Sequence, residues 1–291
     1  MTEAVLFEPE RFDYQFTDGL MTGWRWKNAG ARPLLFCHAT GFCASAYKPM
    51  LSHLDAGKFD VYALDMRGHG RNTLPANPEQ LKSWQVYADD IQRFLDVQDL
   101  DDWILSGHSM GAVTAAMASK GRADISELRL IEPVAVSRWM TIIAATPAWK
   151  LVGSRIPLVQ QAAKRRSQWE SPEAVFQSYS RKGLFKNWRP GALESYLRDG
   201  LKPSVDGGVE LSCTPAWEAA TFAAQANDFW GALEAFRGPV SIFAADHPTS
   251  TVSSAAAAKF KRYAMHLTVA QNTSHLAPME EPAELAAFLC A

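Results

Sequence analysis

The stretch that most constrains this chain is Trp103-Ile104-Leu105-Ser106-Gly107-His108-Ser109-Met110-Gly111-Ala112. It begins as an apolar run suited to a buried strand and passes through the pentapeptide Gly107-His108-Ser109-Met110-Gly111. It continues into Ala112-Val113-Thr114-Ala115-Ala116-Met117-Ala118, where the alanines favour a helix. A strand, a sharp turn and a helix meeting at a serine form the context in which Gly-X-Ser-X-Gly marks a nucleophile elbow. Glycines flank the serine because the turn strains its backbone and packs its neighbours too closely for side chains. Such a turn lifts the Ser109 hydroxyl above the sheet edge. It also leaves the Met110 amide, at the helix N-terminus, facing the place where an oxyanion would develop.

Around this stretch the chain alternates strand-like and helix-like segments. Residues 11–16 and 21–27 alternate apolar and polar across an Asp18-Gly19 turn, the pattern of an edge hairpin. Continuous apolar runs follow at 33–38, 59–66, 103–108 and 128–133, as expected of parallel strands buried on both faces. Helical stretches are expected near 47–54 and 84–95, the latter with Val86, Ile91, Phe94 and Leu95 on one face. The alternation stops near Val136 and resumes at Pro239, with a strand to Asp246, a helix at 254–261, a strand at 265–270 and a last helix at about 282–289. This order calls for an α/β fold with a parallel sheet covered on both faces. The core would comprise 1–136 and 227–291, with 137–226 inserted. That insert is rich in tryptophan, broken by Pro147, Pro157, Pro172, Pro190, Pro203 and Pro215, and carries a turn signal at Asp206-Gly207-Gly208.

Composition narrows the partners. A net charge of −2 gives no reason to expect nucleic acid or an anionic membrane. No apolar run approaches the ~18–20 residues that cross a bilayer, and Met1 to Arg11 lacks the basic and apolar regions of a secretory leader. Cys37, Cys43, Cys213 and Cys290 have no metal-ligand spacing and read as free thiols of a reducing cytoplasm. A small-molecule substrate is expected, with the chain a monomer or homodimer.

A serine that attacks needs a base, a carboxylate that orients the base, and amides that hold an oxyanion. His275 is the best base, in a loop after the last strand; His38 and His108 end strands, His69 sits in the loop Arg67-Gly68-His69-Gly70-Arg71, and His266 lies within a strand. Two acids end strands at the edge where ligands of open α/β sheets bind, Asp246 and Glu132. Both satisfy the chain order serine, acid, histidine. Asp246 is preferred, with Glu132 the alternative that would otherwise line the pocket or bond to loop amides. Gly41-Phe42 follows the strand ending at His38, and the amide of Phe42 is expected to complete the oxyanion hole with that of Met110. Trp139, Phe185 and Trp188 of the insert are expected as apolar substrate contacts, whereas Lys164-Arg165-Arg166 reads as a solvated helix face.

The pieces His38-Ala39-Thr40-Gly41-Phe42, Asp65-Met66-Arg67-Gly68-His69-Gly70-Arg71, Gly107-His108-Ser109-Met110-Gly111, Asp246 and His275 together resemble the α/β-hydrolase superfamily, in its serine-hydrolase branch with an inserted cap. Ala244 stands where glycine is usual two residues before the acid. The resemblance implies an eight-stranded, mostly parallel sheet with the cap after strand six, and Ser109, Asp246 and His275 as the triad. The expected activity is hydrolysis of a carboxylic ester of a small apolar or aromatic substrate through an acyl-enzyme, with no metal or organic cofactor implied. Lactone, thioester or β-diketone carbon–carbon hydrolysis on the same triad, and a non-catalytic receptor of this fold, are the alternatives.

Overall fold

A computed structural model describes residues 8–55, 57–263 and 265–291. Met1 to Phe7, the bulk of the stretch read as lacking a leader, lie outside the described residues. The hairpin forms from β1 (Glu10–Phe16) and β2 (Gly19–Trp26), paired antiparallel with Phe16 opposite Gly19, so Thr17-Asp18 rather than Asp18-Gly19 make the tip. Then come β3 (Arg32–Cys37), α1 (Lys48–Leu51), β4 (Phe59–Leu64), α2 (Gln85–Gln98), β5 (Trp103–His108), α3 (Met110–Ala118) and β6 (Ile125–Ile131). The inserted segment supplies α4 (Arg138–Ala144), α5 (Trp149–Gly153), α6 (Pro157–Ala163), β7 (Gln168–Trp169), α7 (Pro172–Ser180), α8 (Ala192–Gly200), β8 (Leu201–Pro203), β9 (Val209–Leu211) and α9 (Pro215–Ala223). The chain returns through α10 (Phe229–Ala235), β10 (Val240–Ala245), α11 (Ser254–Arg262), β11 (His266–Ala270), α12 (Ala277–Glu280) and α13 (Pro282–Cys290).

Eight strands form one sheet in the order β1-β2-β4-β3-β5-β6-β10-β11. Only β2 runs against the rest, pairing antiparallel with β1 and β4; the other pairings are parallel. Successive residues of a strand face opposite sides, and here both sides are core. Leu35, Cys37, Tyr62, Leu64 and Leu105 pack on the side that holds Phe94, Val113 and Trp230. Leu34, Phe36, Val61, Ala63 and Ile104 pack on the other, with Tyr47, Leu51 and Leu285. Polar residues in these strands would have no wet face to occupy, which is why the runs read as continuously apolar.

The insertion adds a feature that periodicity did not announce, the three-stranded antiparallel sheet β7-β9-β8. The expected turn at Asp206-Gly207-Gly208 joins β8 to β9. Helix α8 is fastened to the main sheet by a carboxylate. Asp199, fully buried, accepts from Arg11 Nη2 at 2.7 and 2.8 Å, from Trp24 Nε1 at 2.9 Å and from Arg71 Nε at 3.0 Å. Burial pushes that carboxyl's pKa up, but the hydrogen bonds from Arg11 and Trp24, with the charges of Arg11 and Arg71, win, and it lies below its ordinary value. Among the described residues no helix is long and apolar enough to cross a membrane.

Candidate active site

Ser109 is the first residue past β5. Its N–H donates to Ile131 O at 3.0 Å, and its backbone sits at φ 57, ψ −115, a left-handed geometry rare outside glycine. The strain is held in place because α3 starts immediately and packs back on the sheet. A Cβ on Gly111 would collide with the main-chain carbonyl of Cys37. Ser109 is only 8% exposed, and Met110 N–H, in the first turn of α3, has no acceptor within the helix.

His275 lies between β11 and α12. Ser274 fixes that loop: its N–H and hydroxyl both donate to the Glu280 carboxylate at 2.7 Å, and its carbonyl accepts from Ala277 N–H. His275 Nε2 then lies 3.1 Å from Ser109 Oγ, and Nδ1 lies 2.9 Å from Glu132 Oε2. A carboxylate only accepts, so Nδ1 carries the proton and Nε2 offers its lone pair to the serine hydroxyl.

The acid beside His275 is therefore Glu132 and not Asp246. Glu132 is the first residue past β6, has φ 48, and donates its N–H to Phe243 O at 2.7 Å. Its Oε1 accepts from Ala245 N–H and the Ser250 hydroxyl, both at 2.7 Å, and its Oε2 also accepts from Thr251 N–H at 2.9 Å. Burial pushes this carboxyl's pKa up, yet the hydrogen bond and charge of His275 and the donors from Ala245 and Ser250 outweigh it, leaving the pKa below its ordinary value. Asp246, preferred from the sequence, is exposed, and its N–H continues the ladder to Ala270 O at 2.8 Å. The loop after it turns Ser250 and Thr251 onto Glu132 instead.

The Phe42 amide, expected to complete the oxyanion hole, has another partner. Ala39-Thr40-Gly41-Phe42 is a β-turn closed by Phe42 N–H to Ala39 O at 3.2 Å, with Gly41 at φ 78 in the position that needs positive φ. The Phe42 amide is thus engaged. Ala39 N–H donates to Tyr47 Oη at 3.1 Å and Gly41 N–H to His69 Nε2 at 3.0 Å. Thr40 N–H is the one amide of the turn with no such partner among the described residues, and Thr40 adjoins the elbow, its Oγ1 3.4 Å from Met110 Sδ. The signal was present in the sequence: a glycine third in a four-residue turn predicts that the fourth amide closes it.

His38 and His69, also near the site, accept from loop amides. His38 Nδ1 donates to Ala39 O at 2.8 Å, and its Nε2 accepts from Met66 N–H at 2.9 Å. Burial, reinforced for His38 by His69, pushes the pKa of His38 well down, and burial pushes that of His69 down to about 4, so both stay neutral as loop-amide acceptors.

Of the expected insert contacts, Phe185 and Trp188 are brought together, ring centroids 4.7 Å apart, and Trp188 lies against Phe42 and Tyr196. Trp188 Nε1 is buried with no acceptor among the described residues. Trp139 is 70% exposed on α4 and joins no such ring cluster among the described residues. Arg165 also departs from the solvated face expected of its triplet. Its Nη1 donates to Glu218 Oε1 and Oε2 at 2.8 and 3.0 Å and its Nη2 to Tyr179 Oη at 2.8 Å, and the pair lies over Gly41, whose carbonyl accepts from Tyr196 Oη at 3.1 Å.

The model of the alpha/beta hydrolase family matches residues 34–288. Among characterised proteins, the chain is 29% identical over 244 residues to 2-(acetamidomethylene)succinate hydrolase of Mesorhizobium japonicum, covering 84% of this chain and 81% of that one. Among solved structures it is similar to E-2-(acetamidomethylene)succinate hydrolase, with a TM-score of 0.78 at 21% identity over 97% of this chain and 98% of that one. It is also similar to the thioesterase domain from the curacin biosynthetic pathway, with a TM-score of 0.78 at 15% identity over 98% of this chain and 100% of that one. With the match running from β3 into α13, the chain belongs to the alpha/beta hydrolase family.

Proposed function

We propose that this chain is a serine hydrolase that cleaves a small-molecule acyl bond through an acyl-Ser109 intermediate, with the inserted segment 137–226 roofing the site. The observation that carries this reading is the unbroken file Glu132–His275–Ser109, at 2.9 and 3.1 Å. His275 Nε2 takes the Ser109 proton as Oγ attacks the substrate carbonyl carbon. Glu132 keeps Nδ1 protonated and stabilises the imidazolium that forms. The amides of Thr40 and Met110 donate to the oxyanion, each such donor worth ~3–4 kcal/mol of barrier. His275 then protonates the leaving group, and a water deprotonated by the same nitrogen releases the acyl group.

The favoured substrate is a carboxylic ester with an apolar or aromatic acyl part. The Phe42, Phe185, Trp188 and Tyr196 rings beside the oxyanion turn support that choice, with Trp188 Nε1 left to meet one substrate oxygen. A second reading, a substrate that also bears a carboxylate, is favoured by the Arg165 guanidinium held over Gly41. The relative of Mesorhizobium japonicum is likewise named for a succinate. Turnover of p-nitrophenyl acetate, benzoate and hemisuccinate tests both. Ser109→Ala is expected to lower kcat with the best of them by about 10⁵–10⁶-fold; retained turnover in folded protein would remove the assignment.

A further inference from the structure

The elbow histidine makes contacts that the proposed mechanism does not use. His108 is fully buried, and its ring centroid lies 4.8 Å from that of His275. Its Nε2 lies 2.7 Å from the main-chain carbonyl oxygen of His275. A carbonyl only accepts, so Nε2 carries the proton, and Nδ1 must accept. The Tyr47 hydroxyl, 2.7 Å away, donates to it. Burial and the neighbouring His275 both push the His108 pKa well down, so this tautomer persists as a neutral ring.

Tyr47 completes the connection. Its oxygen accepts the Ala39 N–H at 3.1 Å, at the head of the turn that holds Thr40. The hydrogen bonds therefore run in one direction, from Ala39 N–H to Tyr47 Oη, from Tyr47 O–H to His108 Nδ1, and from His108 Nε2–H to the His275 carbonyl. Ala39, Tyr47 and His108 are buried, and the file ends at the half-buried His275. The His275 main-chain carbonyl is clamped by the residue adjoining the nucleophile in sequence.

We infer that Tyr47 and His108 are positioning residues that hold the base and the oxyanion turn in one fixed relation. The inference rests on the hydrolase reading. Without the clamp, the His275 main chain relaxes and its imidazole loses the alignment to Ser109 Oγ that proton transfer needs. A misplacement of about 1 Å costs on the order of 10²-fold in rate. Ground-state binding of substrate, made elsewhere, is unaffected.

The test follows covalent labelling of the folded protein by a fluorophosphonate, which needs a nucleophilic Ser109 and a correctly placed base but no knowledge of the natural substrate. Failure of the native protein to label would overturn the hydrolase reading itself. Given labelling, Tyr47→Phe is expected to lower the maximal labelling rate about tenfold, and His108→Leu about 100-fold, with the half-saturating probe concentration unchanged. His108→Gln, which presents a neutral acceptor and donor in the same sequence, is expected to recover most of the His108→Leu loss. A maximal rate within twofold of native in both Tyr47→Phe and His108→Leu would overturn the inference. So would a loss seen only as weaker probe binding, or one that His108→Gln does not restore.

Discussion

Two neighbouring strands of the sheet end in an acid, and only one of those acids meets the histidine. Glu132 follows β6 and Asp246 follows β10, and both donate their N–H to the next strand over, to Phe243 O and Ala270 O. Their main chains thus occupy equivalent rungs. Their surroundings differ. Glu132 is fully buried and ringed by Ala245 N–H, Ser250 O–H, Thr251 N–H and His275 Nδ1, while Asp246 is exposed. The donors around Glu132 come from β10 and from the loop that Asp246 begins. The carboxylate that meets His275 is selected by the amides and hydroxyls that enclose it, and a strand's position in the sheet supplies candidates without choosing among them.

The comparison breaks most directly at Glu132. Glu132→Gln keeps the shape but turns a donor toward His275 Nδ1, and kcat on the best p-nitrophenyl ester is expected to fall about 10⁴-fold. Asp246→Asn should leave it within twofold; a large loss there with little at Glu132 would return the acid's role to β10. Next in size is stability. Glu132→Ala strands the buried Ala245 amide and the half-buried Thr251 amide, and chemical denaturation should show a loss of about 3 kcal/mol. Asp246→Ala should stay within about 0.5 kcal/mol of native.

The smallest effect is on pH dependence. The folded Glu132 carboxyl holds its proton more weakly than an unfolded one. Its share of stability is therefore present above the ordinary value of 4.5 and is lost as pH falls through the lower folded value. The stability gap between native protein and Glu132→Gln should be widest near neutrality and narrow in denaturation curves taken below about 4.5. A gap that did not change with pH would mean that the carboxylate charge contributes nothing there.

Much of the fold was legible because parallel strands buried on both faces have no choice but to be apolar. The runs at 33–38, 59–66 and 103–108 each lie within two residues of their strands. Strand β6 begins three residues earlier than its apolar run, because Ile125 and Glu127 of its first turn of chain pair beside Trp103 and Ile104. The small sheet of the insertion escaped notice because strands of two or three residues are too short to show a period. Helix formation near 47–54 was shortened to Lys48–Leu51, preceded by a 3₁₀ turn at Ala44–Tyr47. Ser109 and His275, which the structure brings within 3.1 Å, were singled out from local sequence. The choice of Glu132 was not, because Ala245, Ser250 and Thr251 stand more than a hundred residues further along the chain and carry no mark of the partner they serve. Arg165 was misread for a related reason: its neighbours Lys164 and Arg166 are exposed, and only the distant Glu218 explains why it alone turns inward.

The anchoring of Asp199 gives the outermost strand an unexpected reach. Arg11 belongs to β1, at the rim of the sheet, yet it helps balance a carboxylate that water cannot reach on α8. Trimming the amino end as far as that hairpin would leave an interior charge with Arg71 as its remaining cation, and the damage would surface in the inserted segment, far along the chain from the cut.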